Sequence, residues 1–84
     1  MIEVNDTYEA AYYYISGGKL VSARTTNVPE NKQNKLGYRT KWHITMDNVD
    51  PVFIEYWKTS RAVANVRQIA VVRKKIKSFV RKYV

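Results

Sequence analysis

Residues 37–46 read Gly37-Tyr38-Arg39-Thr40-Lys41-Trp42-His43-Ile44-Thr45-Met46. Large and apolar residues alternate with polar and basic ones along this stretch. Tyr38, Thr40, Trp42, Ile44 and Met46 fall on one side, and Arg39, Lys41, His43 and Thr45 on the other. A period of two is the signature of a strand with one buried and one open face. The first set is therefore assigned to a core, and the second to solvent or a ligand. One strand cannot bury its own apolar face, so the flanking segments must cover it.

Upstream, residues 19–28 contain Leu, Val and Thr without Gly and with no Pro before Pro29, and read as a second strand. Residues 29–36, polar and Asn-rich, read as a long hairpin loop. Further upstream, Asp6-Thr7-Tyr8-Glu9 reads as an N-cap with an acid three residues on, a capping-box variant. Tyr8, Ala11, Tyr12 and Ile15 have helical spacing, and Gly17-Gly18 supplies a stop. The first helix is placed at 6–16. The run Tyr12-Tyr13-Tyr14 cannot face one core entirely, so part of it is expected at the surface or in an interface.

Downstream, Val49-Asp50-Pro51 is a helix start: Asp50 caps, Pro51 takes the first helical position, and Val49 staples to Ile54. This second helix is placed at 51–58, with Phe53, Tyr56 and Trp57 on one face. Thr59-Ser60 offers a break and a new cap. A third helix is then expected over 61–82, about 33 Å long at 1.5 Å per residue. Its apolar arc holds Ala62, Val66, Ile69, Val72, Ile76, Phe79, Val80 and Tyr83. Arg73 sits near the edge of that arc and is expected to pair with Glu55 or Asp47. The order is α-β-β-α-α: an α+β fold in which a two-stranded antiparallel hairpin packs on helices, with residues 1–84 as a single small domain. Trp42, Trp57 and Ile76 are assigned to its core.

The chain has 84 residues, 15 Lys plus Arg against 7 Asp plus Glu, and no cysteine. A disulfide framework and a thiolate metal site are thereby excluded. An apolar content of 45% is too high for a disordered basic tail. No apolar run approaches the ~20 residues a membrane span needs. Glu3 and Asp6 stand where a signal peptide would be basic. A cytoplasmic location follows as the expectation.

The charge is not evenly spread. All seven acids lie within residues 1–55, which carry a net −1, while residues 56–84 carry nine basic residues and no acid. A solubilising helix face normally interleaves Glu with Lys as i,i+4 pairs. Here the repulsion within the segment is unrelieved, which points to a polyanionic partner. Arg67, Lys74, Lys75, Lys77, Arg81 and Lys82 are the candidate phosphate contacts. Arg39, Lys41 and His43 form a second candidate strip, and the surplus tyrosines can stack on unpaired bases. Catalysis has little to stand on: there is one histidine, His43, read as exposed and without a partner acid nearby in sequence. Asp47 and Asp50 are explained by capping rather than metal binding. No cofactor is called for. The leading expectation is a non-enzymatic protein that binds DNA or RNA with little sequence preference. The alternative is an interaction module or inhibitor that docks an acidic protein. The length of the last helix also admits a homodimer through residues 79–84.

Three segments carry a resemblance: residues 10–20 (Ala-Ala-Tyr-Tyr-Tyr-Ile-Ser-Gly-Gly-Lys-Leu), Glu55-Tyr56-Trp57, and residues 72–78 (Val-Arg-Lys-Lys-Ile-Lys-Ser). On these the chain resembles an uncharacterised group of short domains of bacteria and their phages. That group has a helix ending in Gly, a strand pair, a short aromatic helix and a long basic helix. The Asn/Lys-rich hairpin loop and the additional basic residues at the end depart from it. The resemblance implies one compact α+β domain of phage or mobile-element type.

Overall fold

A computed structural model describes the backbone of residues 1–32 and 35–83 and the side chains of residues 1–27 and 40–83. The elements run β1 (Ile2–Val4), α1 (Thr7–Ile15), β2 (Lys19–Lys32), β3 (Lys35–Asp47), α2 (Pro51–Lys58) and α3 (Val66–Arg81). The class is α+β. The hairpin is joined by a strand the sequence reading lacked, giving an antiparallel sheet of order β1-β3-β2. β1 pairs Ile2 with Met46, Glu3 with Thr45 and Val4 with Ile44. Three residues are too few for their alternation to stand out. Yet Ile2 and Val4 both face the core, and Val4 is 2% exposed.

The strands also run further than expected. Pairing continues from Pro29 opposite Tyr38 to Lys32 opposite Lys35, through the segment assigned to a long loop. Pro29 is tolerated because β2 is an edge strand, where a missing N–H costs no ladder bond. Near its start β2 carries a bulge: Leu20 pairs Met46 and Ser22 pairs Thr45, leaving Val21 as the extra residue.

α1 begins as its residues dictate. The Asp6 carboxylate accepts from the Tyr8 N–H at 2.8 Å. Glu9 accepts from the Tyr13 hydroxyl at 2.7 Å. Burial, reinforced by that hydrogen bond, pushes the Tyr13 phenol well above its ordinary pKa. At the end of the helix Gly17 has φ 105°. The Gly18 N–H reaches the Tyr13 carbonyl at 2.8 Å and the Gly17 N–H the Tyr14 carbonyl at 3.2 Å, which is a Schellman motif. A Cβ at Gly18 would lie 2.8 Å from the Tyr13 carbonyl oxygen, 3.1 Å from Val49 Cγ2 and 3.2 Å from Met46 Cε, so a side chain at this turn would have to displace them.

α2 starts at Asp50 and Pro51 as expected, with the Asp50 carboxylate 3.0 Å from the Val52 N–H. The third helix does not start at 61. Ser60 adopts φ 58° as the left-handed cap of α2, and the Arg61 N–H returns to the Tyr56 carbonyl at 2.8 Å. Ser60 is thereby used to close one helix and is not available to open the next. Asn65 opens it instead, accepting from the N–H groups of Arg67 at 2.9 Å and Gln68 at 3.2 Å. α3 has 16 residues, about 24 Å rather than 33 Å. Its end turns back on the body: the Tyr83 hydroxyl donates to the Val21 carbonyl at 3.4 Å.

The core is one slab between the sheet and the α1–α3 layer. It holds Val4, Ala10, Ala11, Tyr12, Tyr13, Ala23, Ile44, Met46, Ile76 and Val80. Ala10 and Ala11 are fully buried, and their small side chains let α1 approach its neighbours closely. Ile76 is fully buried as expected, but Trp42 and Trp57 are only partly so. No residue of α2 is buried, so α2 lies against the slab rather than within it.

Candidate nucleic-acid interface

Ile76 and Val80 turn one side of α3 into the slab, and this fixes where its charges point. Arg67, Lys74 and Arg81 are exposed and recur every seven residues, two turns apart, along the outward stripe. Together they span about 21 Å of helix axis. Lys75 and Lys82 flank this stripe on one side, and Lys77, half-buried, on the other. Lys75 Nζ also donates to the Tyr14 hydroxyl at 2.7 Å and lies 5.0 Å from that ring's centroid.

Arg73 is not paired with Glu55 or Asp47. Its guanidinium carbon lies 3.8 Å from the Tyr8 ring centroid and its Nε donates to Thr7 Oγ1 at 3.2 Å. The two ion pairs among the described side chains both involve Glu3, with Arg24 at 3.6 Å and with His43 at 2.7 Å. None involves α3.

The second strip divides. Arg39 is in β3, but its side chain lies outside the described residues. Lys41 is exposed, as read. His43 is not exposed: its residue is 9% accessible. It sits on the central strand opposite Arg24, with Glu3 and Asn5 of the β1 edge beside it. Its Nδ1 is 2.7 Å from Glu3 Oε1, and its Nε2 is 2.9 Å from Thr26 Oγ1. The acid missing from its sequence neighbourhood is thus supplied by β1. Hydroxyl, imidazole and carboxylate stand in the order a hydrolase uses, yet His43 lines none of the described clefts. The trio reads as a cross-strand polar cluster that leaves His43 no free edge for a phosphate.

The two strips also lie on opposite layers. α3 presents its cations away from the slab. Lys41 and His43 alternate with the core-facing Trp42 and Ile44, and so belong to the open face of the sheet. They approach at one margin, where Lys41 and Lys77 border the same cleft of about 540 Å³. This cleft is also lined by Tyr8 and Trp42, which were assigned to the helix interior pattern and to the core respectively. Their half-exposure is invisible to a period-two or period-3.6 reading, which separates faces but not the margins of a layer. Compared with family models, with curated proteins and with solved structures, the chain finds no match.

Proposed function

We propose that this chain binds nucleic acid through its phosphates, without catalysing a reaction on it, and that α3 is the principal contact. The observation that carries the reading is the outward stripe of Arg67, Lys74 and Arg81, flanked by Lys75, Lys77 and Lys82, on a helix without an acidic residue. Cations at this spacing neutralise a line of phosphates and release their counterions. Such contacts give affinity and position but carry no base sequence, so binding is sequence-tolerant. Lys41 extends the contact at the margin shared with Lys77, and His43 does not take part. Among the described residues no helix is long and apolar enough to cross a membrane. A cytoplasmic setting, and the phage or mobile-element character implied by the resemblance, belong to this same reading.

An anisotropy titration against short DNA and RNA at several salt concentrations tests it. With six phosphates neutralised, log affinity should fall against log salt with a slope of about −4 to −5.5. Absence of binding at about 50 mM salt, where counterion release favours it most, would sink the proposal.

A second reading, an acidic protein partner, is favoured by one observation. Val63 is 88%, Val66 82% and Val71 69% exposed, so apolar side chains stand among the cations of and before α3. A pull-down that retains a protein after nuclease treatment, and loses it on charge reversal at Lys74 and Lys75, would select this reading.

A further inference from the structure

The outward stripe of α3 offers charge without an aromatic ring in it. The start of α1 offers both. Tyr8 stands there between two clefts. On one side is the cleft of about 540 Å³ that Trp42, Lys41 and Lys77 also line. On the other is a cleft of about 360 Å³, walled by Tyr12, Trp57 and Ile69. Both are open clefts whose volumes fall in the range of about 300–1,000 Å³ common to small-molecule sites in general.

The rings along this path are held on one side and accessible on the other. Tyr8 is 51% exposed, and the Arg73 guanidinium covers a single face of it at 3.8 Å. Trp57 stacks on Tyr12, with centroids 5.9 Å apart and planes 30° apart, and is itself only half-buried. Trp42 packs against the slab at one margin, while Ile44, two residues along the same strand face, is fully buried. A ring already fixed loses little freedom when a second flat group stacks on its open face. Cations accompany two of the three: Lys41 and Lys77 line the cleft with Trp42, and Arg73 lies on Tyr8, whereas the cleft at Trp57 is lined by no basic residue.

Aromatic platforms interleaved with cations are the means by which proteins hold unpaired bases and their backbone together. We propose that the Trp42–Tyr8–Trp57 path binds a single-stranded stretch of nucleic acid, DNA or RNA. Bases stack on the three rings, and phosphates lie on Lys41, Lys77 and Arg73 before passing onto the basic face of α3. The inference rests on the nucleic-acid reading above and specifies its partner as unpaired. A duplex buries its base faces against one another and offers these rings nothing to stack on. Asp6 lines both clefts as well, and one of its carboxylate oxygens is taken by the Tyr8 N–H. An acid at that point repels phosphate and accepts from base amino groups, which places base edges there rather than backbone.

The test compares four 12-nucleotide probes at one salt concentration: single-stranded DNA, single-stranded RNA, an abasic strand of the same charge, and a DNA duplex. The expected result is that at least one natural strand binds about a hundredfold or more tighter than the abasic strand, which forfeits all three base stacks. Tyr8→Leu, at an exposed position, should remove about tenfold of this, the size of one lost stack, for the natural strand and leave abasic and duplex binding unchanged. Tyr8→Phe should restore it. Equal binding of natural and abasic strands, or tighter binding of the duplex, overturns the stacking path while leaving phosphate binding by α3 intact. Failure of all four probes to bind overturns both.

Discussion

At the scale of residues, Glu3 and His43 show that a partner forty positions away can redefine a side chain. Arg39 and Lys41 are near His43 in sequence, which suggests a cationic surface. β1 and the residue that follows it instead lay Glu3 and Asn5 beside it, and its ring becomes a bridge between strands. The hydrogen bond from His43 holds the Glu3 carboxyl below its usual value of 4.5, and the nearby Arg24 guanidinium adds to this against some desolvation. Glu3 therefore binds its proton less readily in the folded chain than in the unfolded one. Its contribution to stability is complete above about pH 4.5 and is lost as pH falls through the lowered value. The melting temperature of Glu3→Gln should accordingly fall less steeply with acid, below about pH 4.5, than that of the parent. Parallel curves for the two proteins would show that the bridge carries no linkage. None of this was legible beforehand, because three residues of β1 carry too little pattern. The tyrosine run was partly legible: Tyr12 and Tyr13 are buried, and Tyr14 is the one that turns outward, to Lys75.

Elements were most legible where their signals are local. Asp6, Asp50, Pro51 and Gly17 mark helix ends through chemistry spanning four or five residues, and each acts where it was placed. Ser60 failed the reading because one residue carried two compatible meanings. It is a good helix opener by side chain and here a helix closer by backbone. The left-handed conformation costs a residue with a Cβ roughly 1–2 kcal/mol, which glycine escapes. Ser60→Gly should therefore stabilise the chain by about 0.5–1 kcal/mol, once glycine's greater freedom in the unfolded state is set against it. Chemical denaturation measures the change. A loss of stability would mean that the Ser60 side chain does more for the α2–α3 connection than its backbone strain takes away.

Over the whole molecule, the sequence located the charge but not its direction. Nine cations and no acid after residue 55 are a fact of composition. Which layer they face is decided by topology: helices cover one side of the sheet, and the basic stripe of α3 is turned away from it. The strip on β3, written in the same alphabet, ends on the other side of the slab. Among the described side chains, the two meet at the margin of Lys41 and Lys77. Alternation assigned Trp42 to the inside and helical spacing did the same for Trp57. Both assignments gave the correct side of the element, and neither could register that the slab ends there. In a domain this small a large fraction of any layer is margin. The same shortage of interior that leaves these indoles half-covered also leaves them accessible to a partner.

The bulge at Val21 has a consequence for how the chain tolerates changes in length. Losing one residue from a strand ordinarily turns every later side chain over, from core to water. Leu20 and Ala23 face inward and Ser22 outward, with Val21 standing outside the alternation between them. A chain shortened at Val21 regains an unbroken alternation and keeps its inward set, at the cost of the long 3.4 Å contact from Tyr83. The deletion variant should keep a cooperative melt, whereas removal of Thr25 should abolish it; loss of cooperativity in both would show that the extra residue is needed to bend the strand. The sheet carries one position of slack, next to the turn where α1 hands the chain to β2.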